Sequence, residues 1–300
     1  MYKKIVVPLD GSQTAEHALP LARGFARAFQ APIELLAVVD IAEIARHATA
    51  DQSSLLRTLV DDTTRRLNAY LQSIAKNFPA GTVQHTVKSG NAAEAIIEFA
   101  AAEKEMLIVM ATHGRSGLDR WLLGSVAEKV LRGTSNPLLL VRAAEKAPEW
   151  GMATLKHVIV PLDGSELSER ILPFVDGLVK NLGLDVNLLG VYGAPVGAGG
   201  EGFYNTAQLE AFVAGIRAET VSQLAAKAEE LKRRGCNTVS CIAKEGLAAD
   251  EIIAVARQTP DSVIAMCTHG RSGAKRWMLG SVTETVVRHS GSPVLVVRPS

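Results

Sequence analysis

Thr112-His113-Gly114-Arg115-Ser116-Gly117, then six residues, then Gly124-Ser125: this stretch decides how the chain is read, because it occurs twice. The second copy opens as Thr268-His269-Gly270-Arg271-Ser272-Gly273 and closes on Gly280-Ser281. Both copies pass through an Arg-Trp pair, Arg120-Trp121 and Arg276-Trp277, and end on Leu-Gly-Ser-Val. Short apolar runs precede them, residues 106–110 and 263–266, and read as buried strands. Helical patterns follow them, residues 126–132 and 282–289. A long glycine-bearing loop between a strand and a helix suits phosphate, because bare backbone N–H groups and a helix N-terminus both favour anions. The chain is therefore expected to carry two copies of a nucleotide-binding loop.

Duplication extends outward from these loops. Between residues 111–142 and 267–298, roughly 19 of 32 aligned positions are identical. Asp10-Gly11-Ser12 follows the first apolar run, and Asp163-Gly164-Ser165 follows its counterpart. Pro20 recurs as Pro173. The offset between halves grows from 153 at the Asp-Gly-Ser triplets to 156 at the glycine loops. The Gly-rich segment 193–202 takes up that difference and reads as a flexible lid or linker. Residues 144–155, with Glu145-Lys146-Ala147-Pro148 and Gly151, read as a linker between domains at 1–143 and 156–300.

Within the first half, strands are expected at residues 4–9, 33–39, 83–87, 106–110 and 137–141. Helices are expected from Ser12 to about residue 29, kinked at Pro20, and at 53–77 and 92–103, with 40–51 part helix and part loop. Alternation of this kind predicts an α/β fold: two tandem Rossmann-like domains, each a five-stranded parallel sheet of order 3-2-1-4-5 with helices on both faces. The strand order reverses between strands 1 and 4, and open parallel sheets bind ligands beyond the strand ends there. Asp10-Gly11-Ser12 and the glycine loop end those two strands, so two motifs converge on one expected crevice per half.

Composition narrows the function. Of 300 residues, 47% are hydrophobic and 21% charged, and the formal net charge is +1. Such a balance gives no general attraction to nucleic acid or anionic membrane, so neither is expected as a partner. Three cysteines, Cys236, Cys241 and Cys267, without a Cys-x-x-Cys pair, argue against a disulfide framework or zinc site. They read as small, semi-buried hydrophobes of a reducing compartment. The apolar run at residues 5–9 is too short for a signal peptide, no segment approaches the ~20 apolar residues of a membrane helix, and a cytoplasmic protein is expected.

The residue types divide the expected chemistry. Gly114, Gly117, Gly270 and Gly273 let backbone approach phosphate oxygens. Gly124-Ser125 and Gly280-Ser281 open helices whose N–H groups, with the serine hydroxyls, hold an anion. Arg115, Ser116, Arg271 and Ser272 add charge and donors. Asp10 and Asp163 are acceptors suited to a ribose hydroxyl or an adenine amino group. His113 and His269 have no partner cluster and read as structural or ligand-packing groups, so no catalytic residue and no metal ligand is assigned. Trp121 and Trp277 read as cover for apolar surface. Asp119 in the first loop becomes Lys275 in the second, a charge reversal near the phosphates.

These residues resemble the universal stress protein family, whose ATP-binding members carry Gly-x2-Gly-x9-Gly-Ser/Thr after the fourth strand. Gly114 and Gly270, each followed after nine residues by Gly-Ser, match its second and third glycines. Ala111 and Cys267 stand at the first glycine, each adding a Cβ. The resemblance covers nearly the whole chain and implies adenosine contacts at Pro8, Asp10, Pro161 and Asp163, with Val38 and Val191 beside the adenine. It implies ribose and phosphate contacts from Ala111 through Gly117 and from Ser125, Val126 and Ala127. The second-half equivalents run from Cys267 through Gly273, then Ser281, Val282 and Thr283. It implies ATP, ADP or AMP as ligand, with or without Mg²⁺. It also implies an internal pseudo-dimer in which strands 137–141 and 293–297 pair, with further homodimerisation open and the protein partner unidentified.

Three functions compete. The first is a nucleotide-dependent stress-response or signalling module. The second is a slow ATPase, although neither half has the Gly-Lys-Ser/Thr of a P-loop or the Ser-Gly-Gly-x-Asp-Ser loop of ATP pyrophosphatases, so weak hydrolysis is the most expected. The third is an interaction scaffold with degenerate, empty sites.

Overall fold

The computed structural model describes residues 2–45, 53–103, 105–112, 123–143, 151, 153–193, 206–270 and 279–299. The chain divides into two compact units, residues 1–154 and 155–299.

In the first unit, β1 (Lys4–Pro8) leads into α1 (Gln13–Glu16) and α2 (Leu19–Phe29), followed by β2 (Ile33–Val39), α3 (Ile41–Ala45) and α4 (Ser53–Ala75). Then come β3 (Val83–Ser89), α5 (Ala92–Ala101), β4 (Met106–Ala111), α6 (Ser125–Gly133) and β5 (Leu138–Val141). The second unit opens with β6 (His157–Pro161), α7 (Glu166–Glu169), α8 (Leu172–Leu182), β7 (Asp185–Tyr192) and α9 (Thr206–Arg233). It ends with β8 (Val239–Glu245), α10 (Ala248–Gln258), β9 (Ser262–Cys267), α11 (Ser281–His289) and β10 (Val294–Val297).

The first unit's sheet has the order β3-β2-β1-β4-β5, and the second unit's has β8-β7-β6-β9-β10. Every pair within each unit is parallel; Ile5 lies opposite both Ile33 and Leu107, and Val158 opposite both Val186 and Val263. All six residues of β4 and of β9 are buried, as strands covered on both faces must be. The edge strands β3 and β8 have no fully buried residue, and polar residues interrupt them accordingly. Among the described residues, no helix is long and apolar enough to cross a membrane.

Where one kinked helix was expected after the first strand, the structure has two. The chain leaves α1 at His17 and restarts at Leu19, which places Pro20 in the first turn of α2. Proline has no N–H to donate into a continuous helix, whereas a first turn needs none. The second unit repeats the break between α7 and α8, with Pro173 at the matching place. Gln30 ends α2 in the left-handed region (φ 52°) where Gly183 ends α8 (φ 69°), so the second unit uses the residue that meets no Cβ penalty there.

Tyr2 packs under the first sheet, 5% exposed, with its ring edge-on to Phe29 at 4.9 Å between centroids. Its hydroxyl has no hydrogen-bond partner among the described residues, and burial holds the phenol well above its usual pKa. A buried, unsatisfied hydroxyl costs about 1–3 kcal/mol. Tyr2→Phe is therefore expected to leave stability unchanged or to raise it by about 1 kcal/mol in urea unfolding. A loss of that size would show that the hydroxyl is satisfied.

Candidate functional site

Each Asp-Gly-Ser triplet folds into the same turn. Asp10 Oδ1 accepts from the Ser12 N–H at 3.0 Å and from its hydroxyl at 2.6 Å, while Ser12 Oγ accepts from the Ala15 N–H at 3.2 Å and so caps α1. Asp163, Ser165 and Ser168 reproduce these distances at 3.0, 2.6 and 3.2 Å, capping α7. Gly11 and Gly164 stand at φ 87° and 78°, a conformation that glycine adopts without a Cβ clash. One carboxylate oxygen is thus committed to the turn in each unit.

The glycine loop is closed at its neck by one backbone bond. Gly124 N–H donates to Thr112 O at 2.8 Å and Gly280 N–H to Thr268 O at 2.9 Å. Thr112 and Thr268 are themselves tied to the ends of β5 and β10, through Val141 O and Val297 O, both at 2.9 Å. Gly124 and Gly280 are the N-caps of α6 and α11, and among the described residues neither end has a side-chain cap. The leading N–H groups of both helices are left for an anion. Gly280 has ordinary extended torsions (φ −64°, ψ 140°), so its backbone angles do not call for glycine. Space does: a Cβ there would lie 2.8 Å from Thr268 O.

The two motifs meet. A Cβ on Gly270 would stand 2.1 Å from Asp163 Oδ2. The second oxygen of that carboxylate therefore faces the start of the glycine loop, while the first holds the turn. Beside it lies a hollow of about 420 Å³ bounded by the end of β6, the end of β7 and α9, with Asp163, Val191, Glu169 and Lys227 in its wall. Val191 and Val38 are half-buried at matching places in β7 and β2, Pro161 is half-buried and Pro8 is buried.

Other expected contacts are distributed differently. Ser125 and Ser281 are exposed in the first turns of α6 and α11, and Val126 and Val282 are half-buried. Ala127 and Thr283 are buried in those turns; the Thr283 hydroxyl is turned inward and donates to Cys267 O at 3.0 Å. A ligand contact from Thr283 would therefore come from its backbone. Ala111 and Cys267 are each 5% exposed at the strand ends. Gly114, Arg115, Ser116, Gly117, Arg271, Ser272 and Gly273 lie outside the described residues, as do His113, Asp119, Trp121, Lys275, Trp277 and residues 194–202. His269 is described: its Nδ1 is 2.9 Å from Thr268 Oγ1, and its Nε2 is buried with no partner among the described residues. Burial, helped by the positive charge of Arg298, lowers its pKa and favours the neutral ring.

Cysteine burial departs from expectation at one position. Cys236 and Cys267 are buried, but Cys241 is exposed, because edge strand β8 leaves it uncovered. Burial pushes the Cys267 thiol up to about 12. Iodoacetamide at pH 8 is thus expected to alkylate exposed Cys241 of the native chain ahead of the two buried cysteines, and all three in urea, read by mass spectrometry. Rapid native modification of Cys267 would contradict this packing.

Sequence reasoning missed the long helix as a wall of the hollow. Glu169 and Lys227, both in its lining, form an ion pair at 2.7 Å. Glu16, at the same place after the first Asp-Gly-Ser, accepts from Tyr70 Oη at 3.0 Å. The recurrence of Asp-Gly-Ser-x3-Glu in both halves was the available signal.

Comparison with known proteins agrees with this architecture. The model of the universal stress protein family matches residues 1–142 and again 154–298. A universal stress protein of Methanocaldococcus jannaschii is 35% identical over 147 residues, covering 49% of this chain and 85% of that one. One from Mycolicibacterium smegmatis is 23% identical over 303 residues, covering 98% and 97% of the two chains. The crystal structure of a universal stress protein from Archaeoglobus fulgidus superposes with a TM-score of 0.71 at 20% identity, over 100% of both chains. With the family pattern met twice in succession, the chain belongs to the universal stress protein family as a tandem, two-domain member.

Proposed function

We propose that the chain binds an adenine nucleotide, ATP, ADP or AMP, in the crevice at the carboxyl ends of the inner strands of each unit, and that occupancy governs a stress-response or signalling role in the cytoplasm. The observation that carries this reading is the contact of Gly270 with Asp163 beside the N-terminus of α11, which has no side-chain cap among the described residues. Glycine lets the start of the loop come against the Asp163 carboxylate where any Cβ would intrude. In this reading the adenosine lies against Pro8, Asp10 and Val38, or Pro161, Asp163 and Val191. The phosphates lie on the glycine loop, with the N–H groups of Ser125, Val126 and Ala127, or Ser281, Val282 and Thr283, and any Mg²⁺ arrives with them. Asp10 and Asp163 each commit an oxygen to a turn, and Glu169 in the wall of the hollow is paired with Lys227, which supports binding over efficient hydrolysis. Nucleotide released from the denatured, purified chain, identified by mass spectrometry, tests the reading. Co-purified adenine nucleotide supports it; a chain that arrives empty and takes up no added ATP favours the empty scaffold.

A further inference from the structure

The two units build the crevice from the same turn and strands, but fasten it differently. Leu67, Leu71 and Ile74 are the buried anchors of α4, and Leu224, Ala228 and Leu231 those of α9. Both sets have the same spacing, and the constant offset of 157 places Tyr70 opposite Lys227. Glu16 and Glu169 match at the offset of the Asp-Gly-Ser turns, 153. One position on the long helix therefore grips one position on the turn helix in both units. The first unit uses the phenol of Tyr70 on Glu16 at 3.0 Å; the second uses the ammonium of Lys227 on Glu169 at 2.7 Å, with Glu230 at 3.4 Å.

In the second unit both members of the pair line the hollow that also contains Asp163 and Val191. One wall is α7, whose cap is set by Asp163 and Ser165. The other is α9, whose close seat on β7 is fixed where Gly190 leaves room for Thr220 and Leu224. The Glu169–Lys227 pair joins these two walls at 2.7 Å.

We propose that Glu16–Tyr70 and Glu169–Lys227 are positioning pairs: each holds the turn carrying the crevice aspartate at a fixed distance from the long helix, and so sets the width of the base end of the nucleotide site. This rests on the nucleotide reading above. Chemical type is interchangeable at this position, hydroxyl or ammonium, because the requirement is a donor that reaches the glutamate.

Titration of the full chain with ATP, alongside thermal melting of the unliganded protein, tests the pairs. Wild type comes first: no binding there refutes the nucleotide reading and this inference with it. Given binding, Lys227→Phe should weaken one class of site by about three- to fivefold, as expected for a partly exposed pair. Lys227→Tyr, which supplies the donor used in the first unit, should restore it. Tyr70→Phe should weaken the other class and, if Lys227→Phe fails to fold, carries the test alone. Wild-type affinity in the folded phenylalanine variants would overturn the proposal, as would Lys227→Tyr binding no better than Lys227→Phe. A melting temperature that falls without any change in affinity would make the pairs structural only and would equally overturn it.

Discussion

Gly270→Ala is expected to weaken nucleotide binding in the second unit roughly 5- to 150-fold while leaving the first intact. The new Cβ would fall 2.1 Å from Asp163 Oδ2 and 3.0 Å from its Cγ. The carboxylate cannot simply swing away, because its Oδ1 holds the Ser165 N–H and hydroxyl at 3.0 and 2.6 Å. Either the turn opens, at about 0.5–2 kcal/mol for loss of a cap, or the loop retreats from the position in which its N–H groups face the phosphates. Overpacking of this kind costs about 1–3 kcal/mol, or roughly 5- to 150-fold in affinity if it falls on the bound state. Isothermal titration with ATP should show one class of sites weakened by that factor and the other unchanged. Gly291→Ala is the control, since a Cβ there has nothing within 4 Å among the described residues, and it should titrate as wild type. Unchanged binding by Gly270→Ala would mean that the glycine answers to a tight turn and not to a ligand.

Asp10→Asn with Asp163→Asn should separate the turn from the ligand. An asparagine side-chain oxygen still accepts from the serine N–H and hydroxyl, so the cap on α1 or α7 survives and the melting temperature should hold. The negative charge is gone, and an NH₂ donor stands where the second oxygen was. If a ribose hydroxyl or the adenine amine donates to that oxygen, the loss is that of a hydrogen bond to a charged group, about 1.5–3 kcal/mol. Affinity should fall roughly 10- to 150-fold. Asp→Ala at the same sites should lose both affinity and stability. An asparagine variant that binds ATP like wild type would confine the aspartate to the turn.

How much of this was legible before the structure depends on how local each signal is. Strand and helix alternation, the parallel sheet and its order followed from apolar runs of four to seven residues set between helical patterns and turn residues. Breaks at His17 and Arg170 were missed, because Pro20 and Pro173 are as compatible with a kink as with a fresh first turn. Asp-Gly-Ser and the glycine loop were visible as motifs, but their contact through Gly270 and Asp163 is tertiary, across 107 positions of sequence. Tyr70 and Glu16 lie 54 residues apart and neither is unusual where it stands. The inward turn of the Thr283 hydroxyl has the same cause: a first-turn threonine reads as a donor to ligand until the strand carbonyl beneath it is placed. Exposed Cys241 shows the limit of composition, which sets a residue's average burial and not its strand's position at the edge of a sheet.

Equilibrium titration of the purified full chain with ATP, after any co-purified nucleotide has been removed, is the most direct test. Saturable binding at one or two ATP per chain, diminished by Gly270→Ala, is the expected result. A flat titration at millimolar ATP, in a chain whose melting curve shows it folded, would contradict the nucleotide site in both units.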